Sequence, residues 1–166
     1  ALVRDPRDAT ALVLRARAHV ALGSRPAAVD DLDAALAVIA APPPELFLER
    51  AALLPPADAL RGLDAAIARV GPSISLQLRA ITLEESLGRV DAAAGRLTAI
   101  AAQSERPEMW LKRRGDLFAR AHRRTEAHAS YTAALAAIAA LPEWLRAAPG
   151  TAELAAELQQ LTALRS

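Results

Sequence analysis

The stretch Leu111–Leu135, LKRRGDLFARAHRRTEAHASYTAAL, reads as two helices folded back on each other. Its first half sets Leu111, Gly115 and Phe118 on one helical face, and its second half sets Ala127, Tyr131, Ala134 and Leu135 on the facing side. Between them, His122-Arg123-Arg124-Thr125 makes a polar turn, with Thr125 as the expected N-cap of the second helix. Small residues let the two helices approach closely, and large ones fill the gap to whatever packs next.

The same pattern recurs upstream. Ala28-Val29-Asp30-Asp31-Leu32-Asp33-Ala34-Ala35-Leu36 aligns with Ala59-Leu60-Arg61-Gly62-Leu63-Asp64-Ala65-Ala66-Ile67, then come Ala93, Leu97 and Ile100, and finally Ala127, Tyr131 and Ala134. The leading alanines recur after 31, 34 and 34 residues. A two-helix unit of that length cannot bury its own apolar face, so the units are expected to stack.

The pattern resembles the tetratricopeptide repeat. Its signature is carried by Leu12, Ala16, His19, Leu22-Gly23, Ala28, Leu32 and Ala35 in the first copy, and by Ile81, Leu87-Gly88, Ala93, Leu97 and Ile100 in the third. The fourth copy is the stretch quoted above. The resemblance implies an all-α fold, a right-handed superhelical solenoid of antiparallel hairpins with a C-terminal capping helix. The expected organisation is a tail of a preceding segment over residues 1–8, repeats over 9–41, 42–71, 72–105 and 106–141, and a capping region over 142–166, all in one domain. The second repeat is short, because Pro55-Pro56 stops its first helix early. Gly71-Pro72-Ser73 opens the third repeat, Ser104 is expected to cap the helix beginning near Pro107, and Thr151 starts a last helix carrying Leu154, Leu158, Leu161 and Leu164. Ala1-Leu2-Val3-Arg4-Asp5-Pro6 resembles the end of a preceding second helix, which suggests an upstream repeat or domain.

Composition agrees with closely packed helices: alanine and leucine dominate, and aromatics make up only 3%. A net charge of +1 provides no general field for nucleic acid, and the apolar runs are too short to insert into a membrane. The chain is therefore expected to be soluble, in the cytoplasm or the periplasm. The absence of cysteine excludes disulfides and thiolate metal sites. Arginine replaces lysine almost everywhere, as a GC-rich bacterial coding sequence would produce.

No catalytic motif appears. The nucleophile elbow, the glycine-rich phosphate loop and the His-Glu-x-x-His helix are all missing, so the chain is expected to be neither an enzyme nor the holder of a cofactor. His122 and His128, with Glu126 between them, lack the fixed third ligand a tight metal site needs. His19 is expected to fill a gap within its repeat. Asp30, Asp31 and Asp33 read as the solvated outer face of a helix.

Resemblance places the inner groove of the array on the first helix of each repeat, which assigns to it Val13 and Arg17, Leu48, Leu78, Thr82 and Glu85, and Lys112, Asp116 and Arg120. Arg113 joins them as part of the basic run that also includes Arg106, Arg114, Arg123 and Arg124. Such a groove would be apolar to slightly acidic at one end and basic at the other, suited to a peptide or partner domain with an acidic segment. Nucleic acid is not expected, since Trp110 and Trp144 are not interleaved with the arginines. The expected role is a non-catalytic protein-protein interaction scaffold. The alternative is the regulatory or targeting repeat domain of a longer enzyme. Self-association through Leu12, Leu14 and Val20 of the first hairpin is a further expectation.

Overall fold

The computed structural model describes residues 8–163, and among these it is all helix and connection. The expected tail at Ala1–Pro6 and the last apolar position, Leu164, lie outside the described residues. Two compact units meet in sequence at Leu87-Gly88.

The first unit holds α1 (Ala9–Ala21), α2 (Arg25–Val38), α3 (Pro44–Leu53), α4 (Pro56–Val70) and α5 (Ile74–Ser86). Asp8 starts α1 by accepting the amides of Thr10 at 2.9 Å and Ala11 at 3.4 Å. Gly23 ends it with a φ of 76°, and the Ser24 amide returns to the His19 carbonyl at 2.8 Å. Glycine reaches that left-handed turn without the Cβ clash other residues meet. Prolines set the next starts: Pro44 and Pro56 each occupy the first position of a helix, where no amide donor is needed. Pro55-Pro56 ends α3 at Leu53, which makes that helix the shortest of the five.

α1 packs on α2, α2 on α3, and α3 and α4 both on α5. One core joins these helices, with Ala16, Leu32, Phe47, Ala51, Leu63 and Leu76 at its centre. Burying each large side chain there contributes about 1.5–3 kcal/mol. Arg69 adds a polar tie, donating from α4 to the Leu36 carbonyl at 2.9 Å and the Ile39 carbonyl at 2.8 Å at the end of α2.

The second unit holds α6 (Val90–Gln103), α7 (Glu108–Arg120), α8 (Arg124–Ala139), the single turn α9 (Glu143–Arg146) and α10 (Pro149–Ala163). α7 packs on α6 and α8, and α10 caps α8 with Leu154 and Leu158 buried. A second tie fixes α10: the buried Thr151 hydroxyl accepts from Arg106 at 3.0 Å, while the same guanidinium pairs with the fully buried Glu108.

Helix ends differ from the sequence expectations at three places. α8 begins at Arg124 rather than after a Thr125 cap, because His122 takes a φ of 59° and the Arg123 amide closes on the Phe118 carbonyl at 2.8 Å. The turn is set by this backbone geometry, and Thr125 is already inside the helix. Ser104 terminates α6 and accepts the Arg106 amide at 3.1 Å, so it braces the loop before α7 instead of capping it. α10 starts two residues earlier than Thr151, at Pro149.

Candidate protein-binding surface

In the first unit, α1 and α3 are joined by Arg17, which donates to Glu49 at 2.7 and 3.2 Å. Val13 and Leu48 are half-buried against the core on the same two helices. On α5, Leu78, Thr82 and Glu85 follow helical spacing along one face; Leu78 and Glu85 are half-buried, and Thr82 is exposed with its hydroxyl donating to the Leu78 carbonyl at 3.0 Å. Arg17 and Glu49 thus form a charge-neutral strip, and Thr82 has turned its hydroxyl back on its own helix.

α7 of the second unit carries the other four. Lys112 donates to Asp116 at 3.1 Å and to Glu157 of α10 at 3.0 Å. Burial pushes its ammonium pKa down, but Glu157 and Asp116 outweigh that and hold it above the ordinary lysine value. Asp116 also accepts from the Tyr131 hydroxyl at 3.0 Å. Lys112 and Asp116 are therefore members of an internal network that clamps α7, α8 and α10. Arg113 is half-exposed without an ion partner among the described residues, and Arg120 is exposed.

The rest of the basic run is used for packing too. Arg114 donates to Ser130 on α8 at 3.0 Å and to Thr98 on α6 at 2.9 Å, stitching three helices. Arg123 pairs with Asp91 at 2.6 Å and Glu126 at 2.7 Å, with its guanidinium 4.8 Å above the Phe118 ring. Sequence counted these charges as one surface, and the fold distributes most of them among helix contacts.

Two acidic and imidazole readings change. Asp31 is only 6% exposed and receives Arg15 through two hydrogen bonds of 2.7 and 2.5 Å, so it belongs to the α1–α2 contact and not to a solvated face. His19 is half-exposed with its Nε2 3.8 Å from Asp31, rather than filling a gap. In the first hairpin Leu12 is buried, while Leu14, Val20 and Leu22 remain exposed.

A cleft of about 450 Å³ in the second unit was not legible in sequence. Its basic lining is His122 from the turn and Arg124 and His128 from α8; its apolar lining is Ala119, Ala127, Tyr131 and Leu161. The signal available was His122 itself, which stands where the first and third copies have Gly23 and Gly88, both at positive φ. Among the described residues, no group of three or more His, Asp or Glu is arranged to hold a metal ion, and no helix is long and apolar enough to cross a membrane.

Stacked antiparallel helix pairs with small residues at the crossings define a helical-hairpin repeat protein. The particular fold is that of the tetratricopeptide repeat. YrrB, a TPR protein with an unusual peptide-binding site, is similar at a TM-score of 0.59 and 19% identity, over 94% of this chain and 76% of that one. A tetratricopeptide repeat protein from Parabacteroides merdae is similar at 0.58 and 15% identity, over 93% and 73%. No family model and no curated protein matches the chain by sequence.

Proposed function

We propose that the chain is a non-catalytic protein-interaction scaffold, presenting the first helices of its repeats to a peptide or a partner domain. The reading takes residues 9–41, 42–71, 72–105 and 106–141 as repeats of one array closed by 142–166. The observation that carries it is that the first helices, besides the side chains they bury within each unit, leave Arg17, Thr82, Arg113 and Arg120 exposed or half-exposed. Side chains that build no core are available for recognition. The likeness in fold to YrrB, which has a peptide-binding site, supports the same role. The test is capture of partners by the tagged chain, followed by titration of Arg113→Glu with Arg120→Glu. Weakening by about tenfold is expected if these arginines meet an acidic segment. Unchanged affinity would remove this face from the account.

Self-association is a second reading, favoured by one observation. Ala11, Leu14, Ala18 and Leu22 form an exposed stripe along α1, whereas Leu76 and Leu83, which match Ala11 and Ala18 by the Leu-Gly alignment, are buried. A second copy seated there would cover the stripe. A monomeric mass by light scattering at high concentration would exclude it.

A further inference from the structure

We infer that the cleft between the end of α7, the start of α8 and α10 binds a carboxylate of a partner peptide, with His122, Arg124 and His128 as its recognition groups. The inference rests on the scaffold reading and names a chemistry for it. Three basic side chains converge on about 450 Å³ of space, and among the described residues no carboxylate lines it. The carboxylates around it are committed elsewhere: Asp116 to Tyr131 and Lys112, Glu126 to Arg123, and Glu157 to Lys112. Among the described residues, none of the three basic groups has an ion partner.

Apolar lining accompanies the charge. Ala119, Ala127 and Leu161 with the Tyr131 ring form a wall beside the basic edge, so the fitting occupant has an aliphatic side chain next to its carboxylate. Desolvation against that wall strengthens each charge-assisted hydrogen bond relative to open water. His122 holds its place at a φ of 59°, a conformation that disfavours any residue with a Cβ. A residue kept in such a backbone state points to a role beyond the turn.

The test uses fluorescence anisotropy with labelled peptides of about ten residues that alternate glutamate and leucine, one with a free C terminus and one amidated, alongside an amidated glutamine counterpart. The glutamate peptides are expected to bind at least about tenfold more tightly than the glutamine one. Binding of both glutamate peptides assigns the site to side-chain carboxylates, and binding of the free-acid form alone assigns it to a chain terminus. Arg124→Glu with His128→Glu is expected to weaken binding by about tenfold or more, while Arg61→Glu, at an exposed position of α4, leaves it unchanged. His122→Gly, which removes one recognition group and relieves the turn, is expected to weaken binding about threefold in a fully folded protein. Equal binding of the glutamine peptide, or undiminished binding by the Arg124/His128 variant, overturns the inference. Failure of every glutamate peptide at millimolar concentration overturns it as well. Partner capture that survives in the Arg124/His128 variant but is lost in the Arg113/Arg120 variant overturns the cleft alone and leaves the scaffold standing.

Discussion

Gly115 on α7 faces the ring of Tyr131 on α8 so closely that a Cβ at position 115 would lie inside the ring's van der Waals envelope, with Cζ 2.9 Å away. The ring thereby packs on bare backbone, and its hydroxyl reaches Asp116 on the same helix. Two helix-propensity and packing effects oppose each other at this position. Alanine in a helix gains about 1 kcal/mol over glycine, while overpacking a tight contact costs about 1–3 kcal/mol. The contact is with ring atoms held by a hydrogen bond, so overpacking is expected to win. Gly115→Ala should lower stability by up to about 2 kcal/mol in urea unfolding, and a variant more stable than the parent would contradict the packing described.

Tyr131 is the only tyrosine of the chain, so its ionisation is read directly from ultraviolet absorbance. Burial, followed by its hydrogen bond to Asp116, pushes its pKa up to about 12. Its folded value lies above the unfolded one, so the stabilisation is complete below the ordinary tyrosine pKa near 10 and is lost as pH rises from about 10 toward 12. Asp116→Asn removes the charge that holds the phenol neutral. The titration midpoint should then move down, and a midpoint that stays in place would assign the whole shift to burial.

His122 occupies the left-handed turn where glycines sit in the first and third copies. The backbone cost of a Cβ there is about 1–2 kcal/mol, and glycine returns part of this through the greater freedom of the unfolded chain. His122→Gly is expected to gain about 0.5–1 kcal/mol, which for a chain of this length raises Tm by about 2 °C. A loss of stability would mean that the imidazole makes contacts beyond the cleft edge.

The repeat itself was legible because it is local: alanines at the crossings, leucines between them, and glycines or prolines at the ends all act within a few residues of where they stand. Pro55-Pro56 announced the short α3, and Leu22-Gly23 announced the end of α1. Side chains whose surroundings depend on distant partners were not legible. The ion pair of Lys112 with Glu157, which lies 45 residues further on, leaves no mark in the local pattern. Asp31 looked like one of three solvated acids, although the periodicity places it against Arg15 in the preceding helix. The equivalent pair in the fourth copy is Arg114 with Ser130, and neither its geometry nor its extra bond to Thr98 is written in a charge pattern. The cleft was hidden for the same reason, since Leu161 joins His122 and His128 only after α10 has docked.

Asp31 also makes the acid limb of stability testable. The hydrogen bonds from Arg15 hold its carboxyl below the ordinary carboxylate value, outweighing the upward push of burial, with a smaller contribution from His19. A carboxyl whose folded pKa is depressed favours the folded state once it is ionised in both states. Its contribution is therefore complete above the unfolded value near 4 and disappears as pH falls through the lower folded value. Arg15 is largely exposed, and solvent screens the pair, so the net effect at neutral pH is small compared with that of a fully buried pair. Asp31→Asn keeps the shape and one acceptor while removing the charge. Its urea midpoint should fall below the parent's at pH 7, and the gap should close as both are taken below about pH 4. Arg15→Ala should show the same pH dependence, and adding it to Asp31→Asn should produce little further loss, because the two report one interaction. A gap that persists at acid pH would assign the effect of Asp31 to packing alone.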